Sequence, residues 1–225
     1  MLAITGASDG IGAEVARAAV ADGWRVVLAA RRRELLDALA DELGGSAHAV
    51  AVTADVTEWD DVQTIPEAAL SAFGRLDAVL ANAGFGAKRG FLNESPEFWK
   101  SMVLTNVYGA ALTLRACIPA LTEAKGHVML MGSVSGRQVG TGSLYSCTKW
   151  AVTAMAEAAR KDLHGTGVRV TLIAPGIVDT AFYDDPVGGA PLLPADVARA
   201  VLYALDQPPH VSINEIIMRP TEQDF

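Results

Sequence analysis

The sequence predicts an α/β fold, a doubly wound parallel sheet with helices on both faces. Three observations predict it. Short apolar runs alternate with helical patterns from end to end. The strand-like runs are nearly continuously apolar, as expected of strands buried on both faces. The first run leads through a glycine turn, Thr5-Gly6-Ala7-Ser8-Asp9-Gly10-Ile11-Gly12, into the first helix.

The elements follow in order. Leu2 to Thr5 is a short strand, and Ile11 to Asp22 a helix. Trp24 to Ala30 is an apolar strand, followed by a charged helix over Arg32 to Leu43. Strands at Ala47 to Thr53 and Leu76 to Ala81 are separated by a helix over Trp59 to Phe73. A long helix covers Pro96 to Leu121 and is expected to bend near Gly109. Strands at His127 to Met131 and Val168 to Ile173 flank a helix from Ser143 to Leu163. A helix at Pro194 to Leu205 and a strand at Ile213 to Met218 follow. The Gly/Pro-rich piece Asp184 to Pro194 reads as a loop. The connections are expected to be right-handed crossovers. One domain, 1–225, accommodates all of this.

Composition narrows the function. The 225 residues are 51% hydrophobic with a net charge of −8, and the mean hydropathy is +0.26. Disorder is excluded, and so large a negative charge argues against a nucleic-acid partner. No apolar run reads as long and uninterrupted enough to span a bilayer, so no membrane association is expected. The glycine turn begins at residue 6, so no leader ahead of the fold is expected. Cys117 and Cys147 have neither metal-ligand nor disulfide-framework spacing, which suits a cytoplasmic protein with reduced thiols. No metal is expected, because the histidines show no ligand spacing.

The glycine turn suits a dinucleotide. Gly6 permits the tight turn, while Gly10 and Gly12 let backbone and helix approach closely. Ser8 can offer a hydroxyl to phosphate or cap the helix. A pyrophosphate then meets the helix N-terminus that begins near Ile11. The end of the second strand selects the cofactor. An NAD site places a carboxylate there for the ribose 2′-hydroxyl, whereas this chain reads Ala29-Ala30-Arg31-Arg32-Arg33. Guanidinium forks on Arg31 and Arg32 suit the 2′-phosphate of NADP(H). Asp9 runs counter, since its charge could sit near the same phosphate. Asp55 and Val56 are placed to contact adenine, although Asp55 reads equally well as part of a helix-capping turn before Thr57. Asn82-Ala83-Gly84 ends the fourth strand with small residues that allow close approach of a ribose.

Tyr145 and Lys149 stand four residues apart in a helical run, which can place a phenol beside an ammonium on one face. A unit charge ~4 Å from a phenol contributes ~4 kcal/mol at an effective dielectric of ~20. That corresponds to ~3 pK units below the ordinary phenol value of about 10. A phenol so perturbed is matched to proton transfer near neutral pH.

These motifs resemble the short-chain dehydrogenase/reductase family over nearly the whole chain. The resemblance rests on Thr5-Gly6-x-x-x-Gly10-x-Gly12, Asn82-Ala83-Gly84, Asn106, Ser133, Tyr145-x-x-x-Lys149 and Pro175-Gly176. It implies a Rossmann-type sheet of seven strands in the order 3-2-1-4-5-6-7, and hydride transfer between a nicotinamide and a carbonyl or alcohol carbon. It implies Tyr145 as proton donor, and Lys149 as partner of the phenol and of the nicotinamide ribose. Ser133 would hydrogen-bond the substrate oxygen, and Asn106 would support a water linking Lys149 to solvent. Pro175, Gly176, Val178 and Thr180 resemble the segment that orients the carboxamide, with Thr180 as a side-chain donor. One departure is the Ser133-to-Tyr145 interval, one residue shorter than the family's usual spacing. Gly136, Gly140 and Gly142 could absorb it, and Ser135 is the alternative to Ser133.

The substrate loop is expected at about 177–193, with Phe85 to Phe91 and Val134 to Thr141 opposite. Its brevity favours a small or medium carbonyl or alcohol substrate. Lys88 and Arg89 are placed to face a substrate carboxylate or to remain solvated loop charges. Phe182 and Tyr183 read either as lid aromatics of that loop or merely as its packing. The tail His210 to Thr221 is similar to a branch with NADP-dependent 3-hydroxy acid dehydrogenases and clavulanate-type aldehyde reductases. Small faces with Ala110, Ala111, Ala116, Ala151, Ala154 and Ala158 fit the pairing that the resemblance implies, into a homo-oligomer, a dimer or tetramer, and fit core packing alone equally. A second reading, a non-catalytic NADP-binding sensor or scaffold on the same fold, predicts binding without turnover. A hydrolase is disfavoured, because Gly6-Ala7-Ser8-Asp9-Gly10 follows the first strand with no earlier strand to carry an oxyanion loop.

Overall fold

Strands β1 (Leu2–Thr5), β2 (Val26–Ala30), β3 (Ala49–Thr53), β4 (Ala78–Ala81), β5 (His127–Met131), β6 (Arg169–Pro175) and β7 (Glu215–Met218) are the successive apolar runs. They form a seven-stranded sheet in the order β3-β2-β1-β4-β5-β6-β7, with every pair parallel. The computed structural model describes residues 1–182 and 189–223. Tyr183 and most of the first half of the expected loop Asp184 to Pro194 lie outside them. Ile4 stands opposite both Leu28 and Leu80, so β1 pairs on either side. Chain order reverses at β1, and the crevice beyond its carboxyl end lies between the β1 and β4 loops.

The pleat divides the core. Leu2, Ile4, Leu28, Leu80 and Met129 point to one face, against α1 (Gly10–Ala21), α2 (Arg33–Glu42) and α7 (Pro194–Leu205). Ala3, Val27, Val79, Val128 and Val170 point to the other, against α3 (Trp59–Phe73), α5 (Ala110–Ala124) and α6 (Leu144–Asp162). Leu2, Ile4, Leu28 and Leu80 have no exposed surface, and each such side chain contributes about 1.5–3 kcal/mol by burial.

Three differences from the sequence reading have local causes. The second strand starts at Val26 rather than Trp24, because Trp24 helps to end α1. The Trp24 N–H donates to Ala19 O (2.9 Å) and the Gly23 N–H to Val20 O (3.0 Å), a Schellman stop with Gly23 at φ 86°. The long helix is α4 (Pro96–Val103), a π-helical stretch (Leu104–Gly109) and α5 in series. The irregularity expected near Gly109 is thus a wider turn. A Cβ on Gly109 would lie 2.6 Å from Val56 Cγ2, so Val56 packs on the bare backbone there. The whole run Pro96–Ala124 is also long and apolar enough, by length and composition, to cross a membrane. This corrects the expectation that no stretch is. Here its Leu112, Leu114, Cys117 and Leu121 are buried in the core of one sheet face.

Candidate functional site

The loops beyond β1, β4, β5 and β6 meet at the carboxyl edge of the sheet. Between β1 and β4 they are tied by side chains. Thr5 Oγ1 accepts from the Asn82 N–H (3.0 Å) and the Ala83 N–H (3.1 Å). Asn82 Nδ2 donates to Thr5 O (2.9 Å) and Gly6 O (3.3 Å). Gly6 takes φ 65°, and a Cβ on Gly12 would lie 2.3 Å from Gly6 O. The turn therefore closes on the Asn82-Ala83 strand end only without side chains at these positions.

Asp9 caps α1 by accepting from the Gly10 N–H. The Arg32 guanidinium reaches across from the end of β2 and donates to Ser8 Oγ (2.9 and 3.3 Å). It also lies 3.5 Å from Asp9 Oδ2. Arg31 is 72% exposed and 4.0 Å from Asp55 Oδ2. Asp55 Oδ1 accepts from the Thr57 N–H and hydroxyl (2.9 and 2.8 Å), so the turn-forming reading of Asp55 describes its contacts. Val56 is buried beside it. The Arg32 guanidinium and a helix N-terminus thus flank the glycine turn, while Arg31 stands in solvent beside Asp55. This donor set fits an anionic dinucleotide with a 2′-phosphate, provided Arg32 exchanges Asp9 for it.

At the other end of the crevice, Ser143 caps α6 by accepting from the Ser146 N–H (3.1 Å). One turn in, Tyr145 and Lys149 share a helical face. Lys149 Nζ lies 5.7 Å from the Tyr145 ring centroid and donates to Met131 O (2.8 Å). The ammonium is buried, which pushes its pKa down to about 8. Ser133 follows β5 after Gly132 and caps the short turn Val134–Gly136, its Oγ accepting from the Ser135 N–H (3.1 Å). Ser135 lies inside that turn. A Cβ on Gly136 would lie 2.6 Å from Lys149 O, so this turn rests directly on α6. Gly142 is at φ 60° and its carbonyl accepts from the Gly90 N–H (2.9 Å). The short Ser133-to-Tyr145 interval is thus spanned by a glycine-rich loop leaning on the β4 loop.

Asn106, 1% exposed, sits in the π-helical stretch. Its Oδ1 accepts from the Phe85 N–H (3.0 Å). Its Nδ2 donates to Phe85 O (2.9 Å) and Thr148 Oγ1 (3.1 Å). A Cβ on Gly84 would lie 3.0 Å from Asn106 Oδ1 and 3.8 Å from Lys149 Nζ. Beyond β6, the Gly176 N–H donates to Met218 O (2.7 Å) and the Ile177 N–H to Gln223 Oε1 (2.9 Å). Val178 is buried and bridges to Leu192. The Thr180 methyl faces Gly10, where a Cβ would lie 3.4 Å from it.

Sequence reasoning missed the Thr5 hydroxyl, the Met131 carbonyl, Thr148 and Gln223. Thr5 and Thr148 stood inside or beside quoted motifs and could have been found. A main-chain carbonyl carries no signal in side-chain identity. Lys88 and Arg89 are exposed on the β4 loop, and Arg89 packs on Gly140. A separate cavity of about 440 Å³, lined by Arg160, His164, Arg169 and Asn214 among others, opens at the opposite edge of the sheet. Arg169 there donates to the carbonyls of Ala204 and Leu205 at the end of α7.

Comparison with known proteins agrees with this fold. Residues 1–186 match the family model of the short chain dehydrogenases. An uncharacterized oxidoreductase of Staphylococcus aureus is 39% identical over 221 residues, covering 96% of this chain and 95% of the relative. Among solved structures, the closed form of a serine dehydrogenase complexed with NADP+ is 31% identical with a TM-score of 0.92, covering 100% of this chain and 97% of that one. An alcohol dehydrogenase from Thermococcus sibiricus complexed with 5-hydroxy-NADP is 29% identical with a TM-score of 0.88, covering 99% and 97%.

Proposed function

The chain belongs to the short chain dehydrogenases, a family of oxidoreductases, and from that premise we propose that it is an NADP(H)-dependent enzyme interconverting a carbonyl and an alcohol on a small or medium substrate. The observation that carries this reading is the buried Lys149 ammonium, 5.7 Å from the Tyr145 ring in the crevice beyond β5.

Bound NADP(H) supplies hydride to the carbonyl carbon in reduction and accepts it in oxidation. In reduction the carbonyl oxygen becomes an alkoxide, and Tyr145 gives it the phenolic proton. Lys149 lowers the cost of the resulting phenolate through its charge, which it keeps at neutral pH with a pKa of about 8. Ser133 Oγ accepts from the Ser135 N–H, which leaves its O–H to donate a hydrogen bond to the substrate oxygen. Asn106 fixes the β4 loop to α6 and so holds Phe85 and Lys149 in register. Its buried place beside Lys149 suits the support of a water there.

Gly6, Ser8, Gly10, Ile11 and Gly12 would hold the pyrophosphate, and Arg31 with Arg32 the 2′-phosphate. Asp55 and Val56 would border the adenine. Asn82, Ala83, Gly84, Tyr145 and Lys149 would flank the nicotinamide ribose. Pro175, Gly176, Val178 and Thr180 would orient the carboxamide. The NADP-bound serine dehydrogenase and alcohol dehydrogenase neighbours support the choice of cofactor. We include in the proposal a single domain over 1–225, a cytoplasmic location and a homo-oligomer. Tyr108 and Trp150, exposed on the long helix and α6, support the last.

The test is NADPH and NADH oxidation, followed by absorbance, across aldehydes, ketones, 3-oxo acids and quinones. Turnover with NADPH is expected for one class above the others. NADPH binding with no turnover of any carbonyl would instead restore the sensor reading.

A further inference from the structure

We infer that Phe182 is a specificity-determining residue, its ring forming a wall of the substrate pocket in a seat that exists because residue 86 is glycine. The inference rests on the oxidoreductase reading above. The Phe182 ring meets that of Tyr145 edge to face, with centroids 5.6 Å apart and planes at 63°. At that distance two rings touch, and no third group fits between them. On its other side the ring occupies the space of a side chain at position 86. A Cβ built on Gly86 would lie 2.7 Å from Phe182 Cζ and 2.8 Å from Cε1. Phe182 thus spans from the proton donor on α6 to the loop beyond β4.

The residue's backbone is anchored. The Phe182 N–H donates to Thr180 Oγ1 (3.3 Å), and Thr180 rests against the glycine turn. Val178, two residues earlier, is buried and bridged to Leu192. The ring itself remains 40% exposed, so moving it costs less than moving a core aromatic. A substrate whose carbonyl approaches Tyr145 therefore meets the ring with whichever substituent points toward Gly86. A short substituent fits beside the ring, whereas a bulky one must push it off its seat. The pocket accordingly favours carbonyls with at least one short substituent, small aliphatic aldehydes above aryl ketones.

The experiment measures kcat/KM with NADPH for propanal and for propiophenone. It compares the wild type, Phe182→Ala, Gly86→Ala and the double variant, with NADPH affinity as a check on each. Phe182→Ala should raise the propiophenone-to-propanal ratio by roughly tenfold or more, the scale on which apolar pockets discriminate. Gly86→Ala should raise it in the same direction by displacing the ring, and should add nothing once the ring is gone. An unchanged ratio in Phe182→Ala overturns the inference, as does a Gly86→Ala effect of equal size with and without the ring. A wild type that binds NADPH but reduces no carbonyl overturns the oxidoreductase reading and this inference with it. Turnover with an unmoved ratio overturns this inference alone.

Discussion

Lys149 donates its ammonium to the main-chain carbonyl of Met131 at 2.8 Å. The contact joins α6, one turn beyond Tyr145, to the last residue of β5, two residues before Ser133. This buried bond, with the Val134–Gly136 turn resting on α6, joins the strand that presents the serine to the helix that presents the phenol. It also explains why the ammonium tolerates burial, since hydrogen bonding to a carbonyl offsets part of its lost hydration.

If Tyr145 is the proton donor, Tyr145→Phe should reduce kcat by roughly 10²–10⁴-fold, the usual contribution of a positioned acid. The ring and its contact with Phe182 persist in this variant, so NADPH affinity should stay close to wild type. Steady-state rates and a fluorescence titration decide it. Activity near wild type would remove Tyr145 from the role.

Arg32, rather than Arg31, should dominate the choice between NADPH and NADH. Its guanidinium already contacts Ser8 in the glycine turn, whereas Arg31 extends into solvent near Asp55. Losing a charge-assisted hydrogen bond costs about 1.5–3 kcal/mol, so Arg32→Ala should lower the NADPH preference by about tenfold or more. Arg31→Ala should do less. Dissociation constants for both nucleotides, measured on both variants, provide the check; an equal loss of NADH affinity would mean that Arg32 does not read the 2′-phosphate.

Asn106→Ala should destabilise the fold as well as the site. It leaves the Phe85 N–H and carbonyl without their partner, while the Thr148 hydroxyl keeps only its bond to the Tyr145 carbonyl. One such buried group costs about 1–3 kcal/mol. A chain of this size loses roughly 2–4 °C in Tm for each kcal/mol. Thermal denaturation should therefore show a fall of several degrees. An unchanged Tm would show that the β4 loop is held by other contacts.

Stability should fall on mild acidification because of His127. The imidazole is 1% exposed. Its Nε2 meets Thr171 Oγ1 at 2.7 Å, and the Thr171 hydroxyl donates onward to Ile213 O. Nε2 therefore carries the proton. Burial, with a smaller contribution from the Arg169 charge, pushes the pKa down to about 3. The native state thus holds His127 neutral while the unfolded chain binds a proton below about 6.5. Between those values the unfolded state binds more protons, so stability is present above about pH 6.5 and is lost toward pH 3, by at most about 1.4 kcal/mol per unit. Urea midpoints from pH 7 to 4, compared with His127→Gln, measure this. An identical slope in the variant would place the acid sensitivity elsewhere.

Much of this was legible in the chain before any coordinates. The order of strands and helices follows from apolar runs punctuated by helical periodicity, and Trp59–Phe73 and Pro194–Leu205 begin and end where the pattern places them. The misjudged start of β2 shows the limit. Trp24 looks like strand by hydrophobicity, yet its N–H is needed to stop α1. Asp55 shows another, since a carboxylate before a helix serves a turn as readily as a ligand.

By itself, then, the sequence determined what depends on neighbours along the chain. These are the parallel sheet, the glycine turn, the arginines after β2, and the Tyr145–Lys149 pair on one helical face. Each rests on backbone preference or helical spacing, which act over a few residues. Tertiary structure decided which distant groups complete them. Met131 O holds Lys149, Thr148 meets Asn106 across 42 residues, Arg32 swings to Ser8 across 24, and Phe182 fills the seat left by Gly86. Those contacts exist because parallel βα units deliver all their loops to one edge of the sheet, where residues far apart in sequence share a single crevice.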